Sequence, residues 1–133
     1  MTGDGKTILL VDDNDDVRRR GKKVLERSGK TVIEASSGED APKLVETRVP
    51  DLVLMDIRLP GKFDGLEAAT RMKEDPRLSR MPVVALTASV LSSDRERALA
   101  AGCSGFISKP IDITALPALV DKFIAHGPGA QPR

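Results

Sequence analysis

The sequence predicts an α/β fold, a parallel β-sheet with helices on both faces. Five short apolar runs recur along the chain, with stretches of helical spacing between them. The runs are rich in Val, Ile and Leu and lack strict polar alternation, which marks strands covered on both sides rather than strands with one wet face. Strand and helix then alternate through short connections, and that order is satisfied by parallel strands joined by right-handed crossovers.

The first strand is "TILLV", residues 7–11. From Val17 the apolar or small residues fall at 17, 21, 24, 25 and 28, a helical stripe. Gly21 within that stripe costs up to ~1 kcal/mol against alanine, and the sequence offers no reason for it. The second strand is "TVIEA", 31–35. It is followed by "SSGE", 36–39, which has the form of a capping box pairing Ser36 with Glu39. Pro42 limits where the second helix can begin and places its start near residue 39. The third strand is "LVLM", 52–55, and the fourth "PVVAL", 82–86. "SDRE", 93–96, is a further cap signal before "RALAAG", and Gly102 reads as a helix stop. "GFIS", 105–108, is the fifth strand, and the last helix runs from about Ile113 to His126. Residues 1–126 are expected to form one domain and 127–133, "GPGAQPR", a flexible tail.

The bulk numbers restrict what such a domain does. At 133 residues the chain can enclose one core. Lysine plus arginine, 21, nearly balances aspartate plus glutamate, 20, for a net charge of +1. A chain that coats nucleic acid or an anionic membrane carries a larger basic excess. Aromatics are 2% of residues, too few for a base-stacking platform. Cys103 is the only cysteine, which excludes an internal disulfide or a multi-cysteine metal site and suits a reducing cytoplasm. The opening "MTGDGK" has no apolar stretch of the signal-peptide kind, and no apolar run approaches the ~20 residues of a membrane span. Neither nucleic acid nor a membrane is therefore expected as a partner.

In a doubly wound sheet, ligands gather at the carboxyl ends of the strands. Asp12 and Asp13 lie just past the first strand, Asp56 past the third, Thr87 at the end of the fourth and Lys109 past the fifth. Folding would therefore bring three carboxylates, a hydroxyl and an ammonium to one edge. Clustered carboxylates raise one another's cost of ionisation. A hard divalent cation such as Mg²⁺ relieves that repulsion, because it prefers oxygen ligands and keeps several waters. With the charge partly neutralised, one carboxylate can act as a nucleophile. Phosphoryl transfer needs little more than an in-line nucleophile, a cation and donors to the phosphoryl oxygens. Asp56, alone on the central strand, is the candidate nucleophile, with Thr87 and Lys109 as the donors. Asp15 and Asp16 read as helix-start acids that favour the positive end of the helix dipole. The basic run "VRRRGKK", 17–23, reads as a solvated helix face, with a docking surface for the acidic or phosphorylated face of a partner protein as the alternative.

At these residues the chain resembles the receiver domain of two-component response regulators, in particular single-domain, chemotaxis-regulator-like ones. The resemblance rests on "VDDN", "DLVLMDIRLPG" with a following "DG", "ALTA" and "AAGCSGFISKP", in order and at suitable spacing across residues 6–125. It implies a flavodoxin-like fold with five strands in the order 2-1-3-4-5 and five helices. It implies that Asp56 is the phosphoacceptor. Asp13 would be a direct Mg²⁺ ligand, with Asp12 helping through water and Asp56 and the Arg58 backbone carbonyl completing the protein ligands; Mn²⁺ would serve in place of Mg²⁺. Thr87 and Ala88 match the switch and phosphate-binding positions, Lys109 the phosphate-binding lysine and Phe106 the switch aromatic. The Lys109–Pro110 bond is expected to be cis, a conformation affordable mainly before proline. The partners implied are a histidine kinase or histidine phosphotransfer protein upstream and a target protein downstream, in the cytoplasm. The implied role is that of a signalling domain, one that assists only its own phosphorylation and dephosphorylation.

The chain departs from the family pattern in one place. The segment "IRLPGKFDG" after Asp56 is one residue longer before its "DG". Arg58 and Ser89 occupy the two variable positions that tune phosphoryl lifetime in the family, and a bulky Arg58 side chain is expected to hinder attacking water. Two other readings stand beside the main one. A haloacid-dehalogenase-like phosphatase also uses a strand-end aspartate, but it wants a second acid two residues on, where this chain has Arg58. A phosphate-independent pseudo-receiver would use the same fold purely as an interaction module.

Overall fold

The computed structural model describes residues 5–57, 65–78, 81–87, 92–109 and 111–126. Its sheet has five strands, β1 Thr7–Val11, β2 Thr31–Ala35, β3 Leu52–Asp56, β4 Val83–Thr87 and β5 Gly105–Ser108. They are parallel and ordered β2-β1-β3-β4-β5, the order of the flavodoxin-like fold. The helices are α1 Asp15–Arg27, α2 Asp40–Thr47, α3 Gly65–Lys73, α4 Ser92–Ala100 and α5 Leu116–His126. A single 3₁₀ turn, Ile113–Ala115, leads into α5, capped by the Asp112 carboxylate on the Thr114 N–H at 3.1 Å.

Because side chains alternate across a strand, each strand feeds two cores. Ile8, Leu10, Leu52, Leu54, Val84 and Leu86 face Leu25 of α1 and Leu116, Val120 and Phe123 of α5. Leu9, Val11, Val53, Met55, Val83 and Ala85 face α2, α3 and α4 through Val45, Ala69, Met72 and Ala98. β1, β3 and β4 are buried at every position, as non-alternating runs should be. β2 is not: Thr31 and Glu34 are exposed and Val32 and Ile33 only half-buried, because β2 is an edge strand.

Gly21 finds its reason here. A Cβ at this position would lie 3.0 Å from Leu10 Cδ2 and 3.7 Å from Leu116 Cδ2, so the glycine lets α1 sit close to β1 and to the start of α5. The capping box expected from "SSGE" does not form. Glu39 is itself the cap residue of α2 and makes no side-chain cap bond, while the Oγ of Ser37, not Ser36, accepts from the Asp40 N–H at 3.3 Å. Pro42 falls at the third helical position, where it is tolerated but brings no N–H for a cap to hold. The "SDRE" signal also shifts, since α4 already begins at Ser92 and 93–96 lie inside it. Gly102 does stop that helix. Its φ is +96°, its N–H donates to Leu99 O at 3.0 Å, and the Cys103 N–H donates to Ala98 O at 3.0 Å, the paired bonds of a Schellman end. Among the described residues no helix is long and apolar enough to cross a membrane.

Candidate functional site at the carboxyl edge of the sheet

The chain leaves β1 through Asp12, which is fully buried. Its N–H donates to Ala35 O at 3.1 Å, extending the pairing with β2 by one bond. Its Oδ1 accepts from the Asn14 N–H at 2.9 Å, a local turn that aspartate is suited to make. Its carbonyl accepts from Arg18 Nη1 at 2.7 Å. Asn14 then caps α1, its Oδ1 accepting from the N–H groups of Asp16 and Val17 at 3.0 and 3.1 Å. Asp15 and Asp16 occupy the first turn, as expected of acids at a positive helix end. Asp13, exposed, is carried between the fixed Asp12 and the fixed cap.

Asp56 is the last residue of β3 and is 5% exposed. Lys109 follows β5, and its Nζ donates to Asp56 Oδ2 at 2.9 Å and lies 3.0 Å from Asp12 Oδ2. The lysine backbone is held as well, its N–H donating to Thr87 O at 2.7 Å. Thr87 ends β4 and is buried. Four strand ends thus meet in one place. Asp12, Asp13 and Asp56 each offer a carboxylate oxygen within 4.8 Å of the others.

One ammonium against three carboxylates leaves the cluster short of positive charge. Burial alone would push the Lys109 ammonium down, but its hydrogen bond to Asp56, its close approach to Asp12 and the charges of both carboxylates more than offset this and hold it above the ordinary lysine value. Asp12 Oδ2 is buried and takes no well-aligned hydrogen bond, even with Lys109 close by. A buried carboxylate oxygen with lone pairs to spare, beside two further carboxylates, fits a hard cation that takes oxygen ligands. The donor set holds no Cys or His and so suits a hard cation such as Mg²⁺ rather than zinc. Cys103 is buried and its thiol is pushed up to about 11 by burial, only partly countered by the Lys73 charge, so it offers no nucleophile at neutral pH.

Of the residues singled out from sequence, Asp12, Asp13, Asp56, Thr87 and Lys109 all come to this edge. Phe106 is half-buried on β5, paired in register with Ala85, and packs on the core beneath α2, α3 and α4. Arg58, Ala88 and Pro110 lie outside the described residues, and so does the Lys109–Pro110 bond.

Two residues at the site escaped the sequence reading. A Cβ on Gly65 would fall 1.9 Å from the Asp56 carbonyl oxygen and 2.6 Å from Ile57 Cα, so only glycine lets α3 start against the backbone of the candidate nucleophile. Its "DG" signal was visible, but the close approach was not. Arg18 belongs to the basic run whose sequence marks a solvated face. Arg19, Arg20 and Lys23 are exposed, but the Arg18 side chain is only 16% exposed and reaches back to Asp12.

Comparison with known proteins agrees with this geometry. The model of the response regulator receiver domain family matches residues 8–121. The polar-differentiation response regulator DivK of Brucella ovis is 39% identical over 108 residues, covering 81% of this chain and 87% of that protein. Among solved structures, the receiver domain of a Pseudomonas aeruginosa sensor histidine kinase, with magnesium coordinated in its active-site cleft, superposes with a TM-score of 0.83 at 33% identity, covering 91% of this chain and 98% of that one. The chemotaxis response regulator CheY4 of Vibrio cholerae shares the fold, with a TM-score of 0.84 at 21% identity over 89% of this chain and 98% of its own. An acidic cluster faced by a lysine at the carboxyl edge of a 2-1-3-4-5 sheet, matched along nearly its whole length, places the chain in the response regulator receiver domain family of two-component signalling.

Proposed function

We propose that Asp56 accepts a phosphoryl group from the phosphohistidine of a histidine kinase or histidine phosphotransfer protein. The observation that supports this most directly is the Lys109 ammonium held 2.9 Å from Asp56 Oδ2 beside two further carboxylates within 4.8 Å. An Asp56 carboxylate oxygen attacks phosphorus in line, the P–N bond breaks, and its electron pair leaves with the ring nitrogen of a protonated phosphoimidazole, which departs as neutral imidazole. Transfer of this kind depends on positioning and charge stabilisation more than on covalent help from the protein. Lys109 is placed to turn from carboxylate to phosphoryl oxygen, and the Thr87 hydroxyl and the Ala88 N–H are the further donors in this reading. Asp12, Asp13, Asp56 and the Arg58 carbonyl would hold Mg²⁺, or Mn²⁺, which when bound neutralises the charge that builds up on the phosphoryl oxygens. Without a cation, a phosphoryl group would have to approach three carboxylates countered by one ammonium.

The aspartyl phosphate then biases two pre-existing states. Thr87 moves toward the phosphoryl group, Phe106 turns into the space vacated, and the surface of α4, β5 and α5 changes for a downstream protein. In this reading the domain assists only its own phosphorylation and dephosphorylation, and a bulky side chain at Arg58 would slow the latter. This reading takes residues 1–126 as the receiver domain, working in the cytoplasm, and 127–133 as its tail.

Incubation with acetyl phosphate, with and without Mg²⁺, followed by intact mass measurement tests the proposal. The expected result is a Mg²⁺-dependent gain of one phosphoryl group in the wild type and none in Asp56→Asn. A wild type that gains nothing, from acetyl phosphate or from histidine kinases offered in its place, would overturn it in favour of a phosphate-independent interaction module.

A further inference from the structure

We propose that Arg18 is a positioning residue for the metal-binding acids, acting through the backbone of Asp12. The inference rests on the cation reading of the acidic cluster given above. The guanidinium makes three contacts, one on the β1–α1 connection, one on its own helix and one on β2. Nη1 donates to the Asp12 carbonyl at 2.7 Å, Nη2 to Asp15 Oδ1 at 2.6 Å, and Nε lies 3.3 Å from Glu34 Oε1 on β2. The Arg18 N–H meanwhile donates to Asn14 O at 3.0 Å, fixing the base of the side chain in the first turn of α1. One planar fork therefore sets the β1–α1 connection relative to both the helix that follows it and the strand beside it. A rigid fork with several donors can do this, and a lysine, with its charge at a single point, cannot.

The consequence falls on the acids. Asp12 is held at its N–H by Ala35, at Oδ1 by the Asn14 N–H and at its carbonyl by Arg18. With all three in place, Oδ2 has one direction left, toward Asp56 and Lys109. Asp13 has no such clamp of its own among these bonds, and inherits its position from the peptide that Arg18 grips. Releasing the carbonyl frees that peptide to rotate, and the three carboxylates then have to be gathered by the cation at its own cost.

Charge and position predict opposite signs, which makes the inference testable. Arg18 is a cation near an acidic cluster, and if it served only as a charge its removal would tighten Mg²⁺ binding. If it positions the acids, its removal weakens binding. Mg²⁺ alone is titrated into the wild type, Asp13→Asn, Arg18→Lys, Arg18→Ala and Lys22→Met, following backbone amide shifts by NMR, with circular dichroism to establish that each is folded. Lys22→Met is the control, because it also removes a partner of Glu34, at 3.3 Å, without touching Asp12. The expected result is a dissociation constant raised at least threefold in both Arg18 variants, with shifted Asp13 and Asn14 amides before any metal is added, and a constant within twofold of wild type in Lys22→Met. Wild-type binding in Arg18→Lys, or tighter binding in Arg18→Ala, would overturn the inference. Should Arg18→Ala not fold, Arg18→Lys decides alone. A wild type that binds no Mg²⁺ would instead overturn the cation reading, and an Asp13→Asn variant that binds as wild type would remove Asp13 from it.

Discussion

Lys109 does two jobs that pull against each other. Its ammonium neutralises Asp56 and Asp12 when no cation is bound, and it competes for the same oxygens when one arrives. Lys109→Met is therefore expected to bind Mg²⁺ several-fold more tightly than the wild type while retaining less phosphoryl group from acetyl phosphate; an amide-shift titration and intact mass report the two effects. The pH dependence follows from the raised lysine value. A folded ammonium that titrates above the ordinary 10.5 contributes stability that is fully present below 10.5 and is lost only as pH rises through the higher folded value. The difference in Tm between wild type and Lys109→Met, measured without metal, is thus expected to be constant from about pH 6 to 9 and to shrink above about 10.5. A difference that changes between pH 6 and 8 would point to a titrating group other than Lys109.

At the scale of elements, the strands were legible because burial on both faces leaves its mark in composition, as in Ile8 to Val11 and Val83 to Leu86. The acids were legible because each stands directly beyond, or at the last position of, such a run. Glycines at close approaches were not legible, since nothing near Gly21 or Gly65 in the chain names the atoms that crowd them. Those atoms, Leu10 Cδ2 and the Asp56 carbonyl, belong to other elements. Arg18 was hidden for the same reason, its identity matching its neighbours while its contacts do not. The two glycines differ in what they tolerate. At Gly21 the obstacle is the tip of a leucine, which can give, whereas at Gly65 it is backbone at 1.9 Å. Gly65→Ala must displace the start of α3 or the end of β3, so a loss of about 3 kcal/mol or more is expected in urea denaturation. Because the displaced backbone carries Asp56, phosphoryl acceptance is expected to fall along with stability. A variant within about 0.5 kcal/mol of wild type would show that α3 can start elsewhere without strain.

For the molecule as a whole, the site exists only when the sheet does. Asp56 and Lys109 are 53 residues apart in the chain, and Asp12 comes from yet another strand end, so the unfolded chain has no comparable cluster to offer a cation. A ligand that binds the folded state alone stabilises it by mass action, by about 2.7 kcal/mol at a hundredfold excess over its dissociation constant. For a domain between the 100- and 150-residue classes, that corresponds to a rise in Tm of roughly 5 to 15 °C. Saturating Mg²⁺ is therefore expected to raise the melting temperature of the wild type within that range, to do much less for Asp13→Asn, and to leave the unfolding slope in urea unchanged. The shift should also grow with the logarithm of Mg²⁺ concentration once the site is filled. General charge screening would behave differently, since Na⁺ at equal ionic strength would then reproduce it and Asp13→Asn would share it. A calorimetric series in the two salts separates these outcomes. A Mg²⁺-specific rise in the wild type that is lost in the variant would show that the cation reads the folded arrangement of two strand ends, β1 and β3, rather than the acidity of any one segment.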